Sequence, residues 1–152
     1  MRLKVLTAFA ALAMLAACET PSETATTGGA GAQRAQTMQE QLVAIGDRVF
    51  YDYDKSDLKP EARRQIERWA EFLKRNANAT ITIEGHCDER GTREYNLGLG
   101  ARRANAAKNY LVSQGIEARR VATISYGKER PAVNGSNEAA WSQNRRGVAV
   151  VN

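Results

Sequence analysis

From Val49 to Val151 the chain switches repeatedly between two apolar periods, and this switching limits the possible folds more than any other feature. Residues 49–53 alternate and are rich in β-formers, which predicts a strand with the turn Asp54-Lys55-Ser56-Asp57 behind it. Pro60 suits the first turn of a helix. Ala62, Ile66, Trp69, Ala70 and Leu73 then recur at three- and four-residue steps, while Arg63, Arg64, Glu67, Arg68 and Glu71 fall largely on the other side. Residues 80–84 alternate again, with Ile81 and Ile83 sharing a face, and 85–91 read as a polar loop. Thr92 caps a helix over 93–114, with Leu99, Ala107, Tyr110 and Leu111 inward and Gly115 as its stop. Residues 121–126 predict a third strand, 127–137 a connection, and 147–151 a fourth strand. Upstream, Met38, Leu42 and Ile45 give a short helix that Gly46 ends. The order is βαβαββ. Helices between strands imply βαβ units, so a single two-layer α/β domain is expected, with a mixed sheet and helices packed on it.

The first 37 residues contribute nothing to that core. Arg2 and Lys4 precede an uncharged, Ala- and Leu-rich run over 5–17, the layout of a secretory signal. The run is too short to span a bilayer, which takes about 20 apolar residues. It ends Leu15-Ala16-Ala17-Cys18, which resembles the lipobox of bacterial lipoproteins. That resemblance implies cleavage before Cys18 and lipidation of Cys18 by an S-diacylglycerol and an N-acyl chain, enough for stable anchoring. Residues 19–37 are mostly Thr, Ala, Gly, Ser and Gln with one Pro, and read as a tether with an r.m.s. span of roughly 25 Å. The expected organisation is a signal peptide over 1–17, a lipidated tether over 18–37 and a folded domain over 38–152.

Charge and cysteine content exclude several functions. The formal charge of +5 falls to about +3 once Arg2 and Lys4 are removed, and cations are interleaved with acids, so there is no nucleic-acid stripe. With Cys18 lipidated, Cys87 lacks a disulfide partner. His86 is the sole histidine and adjoins Cys87, so a zinc site lacks ligands. No metal or other cofactor is expected.

The chemistry concentrates where two strands end. The first leaves through Tyr53 and Asp54, the second through His86, Cys87, Asp88, Glu89 and Arg90 before Gly91. Ligands in open α/β sheets bind beyond the carboxyl ends of strands. On the next helix Leu99 and Arg103 lie four apart and share a face, which brings a cation toward Asp88. A carboxylate and a guanidinium separated by a gap suit a zwitterion, Asp88 taking an ammonium and Arg103 a carboxylate. Spacing alone does not choose between Arg103 and its neighbour Arg102. The Asn144-Arg145-Arg146 run reads as structural, its arginines tying the last strand to nearby acids. Trp69 belongs to the core; Trp141 falls in a late loop segment and has no evident place.

Residues 49–54, VFYDYD, and 83–111, IEGHCDERGTREYNLGLGARRANAAKNYL, resemble the OmpA-like peptidoglycan-binding domain family. Three further stretches, DERGTREYN, SYGKERPAV from Ser125 and NRRGV from Asn144, resemble its lipoprotein branch, so the likeness runs over nearly all of 49–152. The resemblance implies a non-catalytic module that holds the meso-diaminopimelate of peptidoglycan stem peptides noncovalently. Carried over by motif, Asp88 and Arg103 are the principal contacts, Tyr53 and Asp54 match an aromatic–aspartate pair, Leu99 a pocket wall, and Thr92 with the Gly91 loop adds contacts. Cys87 departs from the small residue or Thr of many relatives. The resemblance further implies an outer-membrane lipoprotein with its domain in the periplasm. It also implies TolB and the other Tol-Pal components as partners, and a role in envelope integrity and cell division. Glu19 after Cys18, where an inner-membrane retention signal would place Asp, agrees with that sorting.

Two other functions are compatible with an envelope protein of this layout. One is an OmpA-like anchor serving another envelope machine, without TolB. The other is a cell-wall hydrolase using Asp88 and Glu89, but adjacent carboxylates make a poor acid–base pair and no nucleophile with a base is visible. On the sequence alone, Asp88→Ala and Arg103→Ala should each remove most wall binding and leave the fold intact.

Overall fold

The computed structural model describes residues 36–152. The signal, Cys18 and tether expectations, apart from Gln36 and Thr37, lie outside the described residues. Helix α1 (Met38–Ala44) opens with a capping box in which the Thr37 hydroxyl accepts from the Glu40 amide and the Glu40 carboxylate accepts from the Thr37 amide. Strand β1 (Arg48–Phe50) leads to α2 (Pro60–Arg75), then β2 (Ile81–His86), α3 (Arg93–Ser113), a 3₁₀ turn (Ala118–Arg120), β3 (Val121–Gly127), α4 (Glu138–Asn144) and β4 (Arg146–Val151). None of these helices is long and apolar enough to cross a membrane.

The four strands form one mixed sheet in the order β1-β4-β2-β3. β2 and β3 pair in parallel, and β4 runs antiparallel to both β1 and β2. Three strands therefore point the same way, and the exits of β1, β2 and β3 share an edge with the start of β4. Trp69, Phe72, Leu73, Ile66, Ile81, Ile83, Leu111 and Ala149 fill one continuous core between the helices and one sheet face. Each fully buried Leu, Ile or Phe side chain contributes roughly 1.5–3 kcal/mol. Trp69 also donates its indole N–H to the Gly46 carbonyl at 2.6 Å, tying α2 to the α1–β1 turn.

The two-layer α/β architecture agrees with the sequence expectation, and three local features differ. β1 stops at Phe50 rather than at Tyr53, because its partner β4 begins at Arg146; beyond that pair only the Tyr51 amide bonds across, to the Arg145 carbonyl at 2.9 Å, while the Tyr51 hydroxyl donates to the Arg103 carbonyl at 2.8 Å. β2 runs on through His86, where the 85–91 segment was expected to be loop from its start, and its register with β3 shifts between Gly85 and His86. Trp141 lies on a helix, α4, not in a loop. Its signal was present in Asn137-Glu138: the Asn137 side chain accepts from the Ala140 amide, and an acid follows in the first turn.

Helix α3 approaches β2 so closely that side chains are excluded between them. A Cβ on Gly85 would lie 1.8 Å from the Gly100 carbonyl oxygen, a backbone atom that cannot swing aside. Gly85→Ala is accordingly expected to cost about 3 kcal/mol by forcing α3 off the sheet. Gly98→Ala on the same helix meets only the flexible tip of Arg102 at 3.4 Å and should stabilise by about 0.5 kcal/mol. Urea unfolding of the two variants measures the contrast.

Candidate functional site at the strand exits

The shared edge carries a cavity of about 250 Å³ lined by Tyr53, Asp54, Asp88, Arg90, Leu99 and Arg103, among others. Five of the six predicted site residues thus meet in one place. The sixth, Thr92, does not line it; its hydroxyl accepts from the Tyr95 amide at 3.2 Å and so starts α3. Two short backbone devices shape the entrance. Asp54 holds φ 56°, a left-handed conformation open to Asp, and accepts a hydrogen bond from the Tyr95 hydroxyl. Gly91 holds φ +92° and turns the chain from the β2 exit into α3.

Arg103 is 1% exposed, whereas Arg102 is exposed, so folding makes the choice that spacing left open. Its guanidinium donates from Nε to the Lys55 carbonyl at 2.8 Å, from Nη1 to the His86 carbonyl at 2.9 Å and from Nη2 to the Asp52 carbonyl at 3.0 Å. It therefore staples the β1 exit to the end of β2. Burial pulls its pKa down from the usual arginine value, and the neighbouring Cys87, Tyr51 and Asp88 act the other way. Three of its five N–H groups are committed to backbone, which fixes the fork while it faces the cavity.

Asp88 is 4% exposed and fully paired. Oδ1 accepts the Arg90 amide at 3.1 Å and Arg90 Nε at 3.2 Å; Oδ2 accepts Arg90 Nη2 at 2.6 Å and Arg145 Nη1 at 3.5 Å. Burial raises its pKa, but the Arg90 hydrogen bonds and charge, with Arg145, outweigh that, and the carboxyl is held below its ordinary value. It is ionised at neutral pH. Arg145 also donates to the Tyr51 carbonyl at 3.1 Å and pairs with Glu138, so it ties β4 to the neighbouring acids and at the same time reaches the site.

Sequence reasoning missed three contributors. Arg90 stands with its guanidinium 4.0 Å from the Tyr53 ring and 4.0 Å from the Trp141 ring. Asn96, 2% exposed, donates to the Arg90 carbonyl at 2.8 Å and the Thr92 carbonyl at 3.1 Å, setting the loop. The third is Trp141, whose indole N–H donates to Glu89 at 3.0 Å. Cys87 is buried, its thiol donating to the Asn96 carbonyl at 3.4 Å, and burial raises its pKa. Among the described residues no group of three or more His, Cys, Asp or Glu could hold a metal.

Comparison with known proteins places this geometry. Residues 50–145, from the last residue of β1 to the residue before β4, match the OmpA family. The chain belongs to the OmpA family. Within it, the chain is 50% identical over 124 residues to a peptidoglycan-associated lipoprotein of Agrobacterium fabrum, covering 82% of this chain and 70% of that one. It is 47% identical over 148 residues to one of Mesorhizobium japonicum, covering 96% and 88%. The crystal structure of the peptidoglycan-associated lipoprotein from Burkholderia pseudomallei superposes with a TM-score of 0.68 at 37% identity, covering 70% of this chain and 90% of that one. Within the OmpA family, the chain is of the peptidoglycan-associated lipoprotein type.

On the sheet's other side, His86 is 1% exposed, packed 5.5 Å from the Tyr126 ring and 3.4 Å from Glu84, and its Nδ1 has no hydrogen-bond partner among the described residues. Burial first, then the positive charges of Arg146 and Arg130, lower its pKa to about 4. In the unfolded chain it titrates near 6.5. The folded state therefore keeps His86 neutral at a stabilising advantage that is complete above pH ~6.5 and is lost as pH falls toward 4, up to about 3 kcal/mol. The urea midpoint should drop between pH 7 and pH 4.5, and less so in His86→Gln, which has no such proton to take up.

Proposed function

We propose that this protein is an outer-membrane lipoprotein that binds peptidoglycan noncovalently through the diaminopimelate of uncrosslinked stem peptides. The observation that carries the reading is the pairing of an ionised, buried Asp88 with a fixed Arg103 fork across one small cavity. A free diaminopimelate end presents an ammonium and a carboxylate on one carbon, complementary to that pair. Tyr53, Asp54 and Leu99 close the sides, and the Gly91 loop offers backbone contacts. The similarity to proteins named peptidoglycan-associated lipoprotein supports the same ligand.

In this reading residues 1–17 are a signal peptide, Cys18 carries the lipid and residues 18–37 tether the domain in the periplasm, so that one chain joins the membrane to the wall. TolB and the other Tol-Pal components are the partners proposed from the same similarity, with a role in envelope integrity and division. Co-sedimentation with purified peptidoglycan sacculi tests the binding claim. The protein should pellet with sacculi and be released by free meso-diaminopimelate; failure to pellet, or release of soluble muropeptides by the protein itself, contradicts it. A pull-down from a periplasmic extract should recover TolB, and its absence would favour an anchor serving another envelope machine.

A further inference from the structure

The acid side of the cavity is already filled. A carboxylate offers about four acceptor positions. On Asp88 these receive the Arg90 amide, Arg90 Nε, Arg90 Nη2 and Arg145 Nη1. An incoming ammonium finds no vacant lone pair there. The guanidinium doing most of the filling is the least embedded of the cations around the site: the Arg90 side chain is 30% exposed, against 7% for Arg145. It is also held on two faces, by Tyr53 and Trp141 at 4.0 Å each. Tyr53 is itself 58% exposed and free to follow or release it.

We infer that Arg90 is a displaceable internal cation, a latch that occupies the ammonium position of the site and leaves when the ligand's ammonium arrives. The inference rests on the binding mode proposed above. Arg145 stays, because its Nε is bonded to the Tyr51 carbonyl and its Nη2 to Glu138. Arg90 has no such second acid among the described residues. Its departure leaves two aromatic faces around the space its guanidinium occupied beside Asp88, a setting that favours a cation through the ring quadrupoles. The vacated slot accepts a primary ammonium on a flexible stem and recovers both the ion pair and the ring contacts. Trp141 thereby gains a role, and α4, which carries it, becomes one wall of the ammonium site. Because ligand binding breaks one partly exposed ion pair and two stacking contacts, apparent affinity is reduced by the fraction of molecules whose latch is closed.

The test compares the protein with Arg90→Gln and Arg90→Lys by titration with the tripeptide L-Ala-γ-D-Glu-meso-diaminopimelate, while NMR follows the Arg90 Nε–H resonance. Arg90→Gln keeps the loop's polarity but removes the charge, and circular dichroism checks that it folds. The latch predicts a protected Arg90 Nε–H in the free protein that is lost on saturation, about tenfold tighter binding by Arg90→Gln, and Arg90→Lys between the two. Wild-type binding with Arg90→Gln equal or weaker overturns the latch and leaves the zwitterion site standing, since Arg90 would then be a ligand contact. If none of the three binds, the proposed ligand falls and the latch with it.

Discussion

Asp88→Asn is expected to weaken binding of a diaminopimelate stem peptide by about 100-fold, the scale set by removing one partner of a desolvated charge pair. The substitution keeps the shape and one acceptor oxygen but loses the charge that faces the ligand's ammonium. Its second consequence is local: Arg90 loses the ion pair at 2.6 Å, and Arg145 keeps Glu138 and the Tyr51 carbonyl. Stability should therefore fall far less than affinity. Calorimetric titration and a urea curve on the same preparation separate the two. Asp88→Asn with near-normal affinity would remove the acid from the site.

Arg103→Ala should produce the larger combined loss. Three backbone carbonyls lose their donor, that of His86 in a buried position and those of Asp52 and Lys55 in part-buried ones. Leaving a buried acceptor unpaired costs about 1–3 kcal/mol, and water can replace the donor at the two part-buried carbonyls, so a loss of about 3 kcal/mol is expected. The sequence alone suggested that this variant keeps its fold intact while losing the ligand; the carbonyl staple predicts that it loses both. Arg103→Lys is the informative companion, because one ammonium reaches some of these carbonyls without reproducing the fork. It should recover part of the stability and little of the binding. Urea midpoints for the two variants, with affinity measured well below each midpoint, check this.

Much of the fold was legible because its helices and strands are amphipathic with clean periods. The α2 stripe of Ala62, Ile66, Trp69, Ala70 and Leu73 is buried as its spacing requires, and Thr92 and Gly115 bracket α3 as cap and stop. What stayed hidden depended on contacts distant in sequence. Tyr51 looked like the middle of a strand, yet its hydroxyl is claimed by Arg103, 52 residues away. Arg90 looked like a loop cation two residues from Asp88; only the Gly91 turn and the arrival of α4 place it between two rings. Asp88 and Arg103 were legible as a pair through spacing and family resemblance. That both are already hydrogen-bonded by the protein itself was not, because Arg145 and the 52–55 backbone come from opposite ends of the domain.

Recognition of a zwitterion by Asp88 and Arg103 is separable from recognition of an ammonium alone by one pair of ligands, without altering the protein. Calorimetry would compare the stem tripeptide ending in meso-diaminopimelate with the same peptide ending in L-lysine, which keeps the terminal ammonium and lacks the carboxylate beside it. The diaminopimelate peptide should bind, and the lysine peptide should bind at least about tenfold more weakly, because the Arg103 side then faces no anion. Equal affinity for the two peptides, or no measurable binding of the first, would contradict zwitterion recognition.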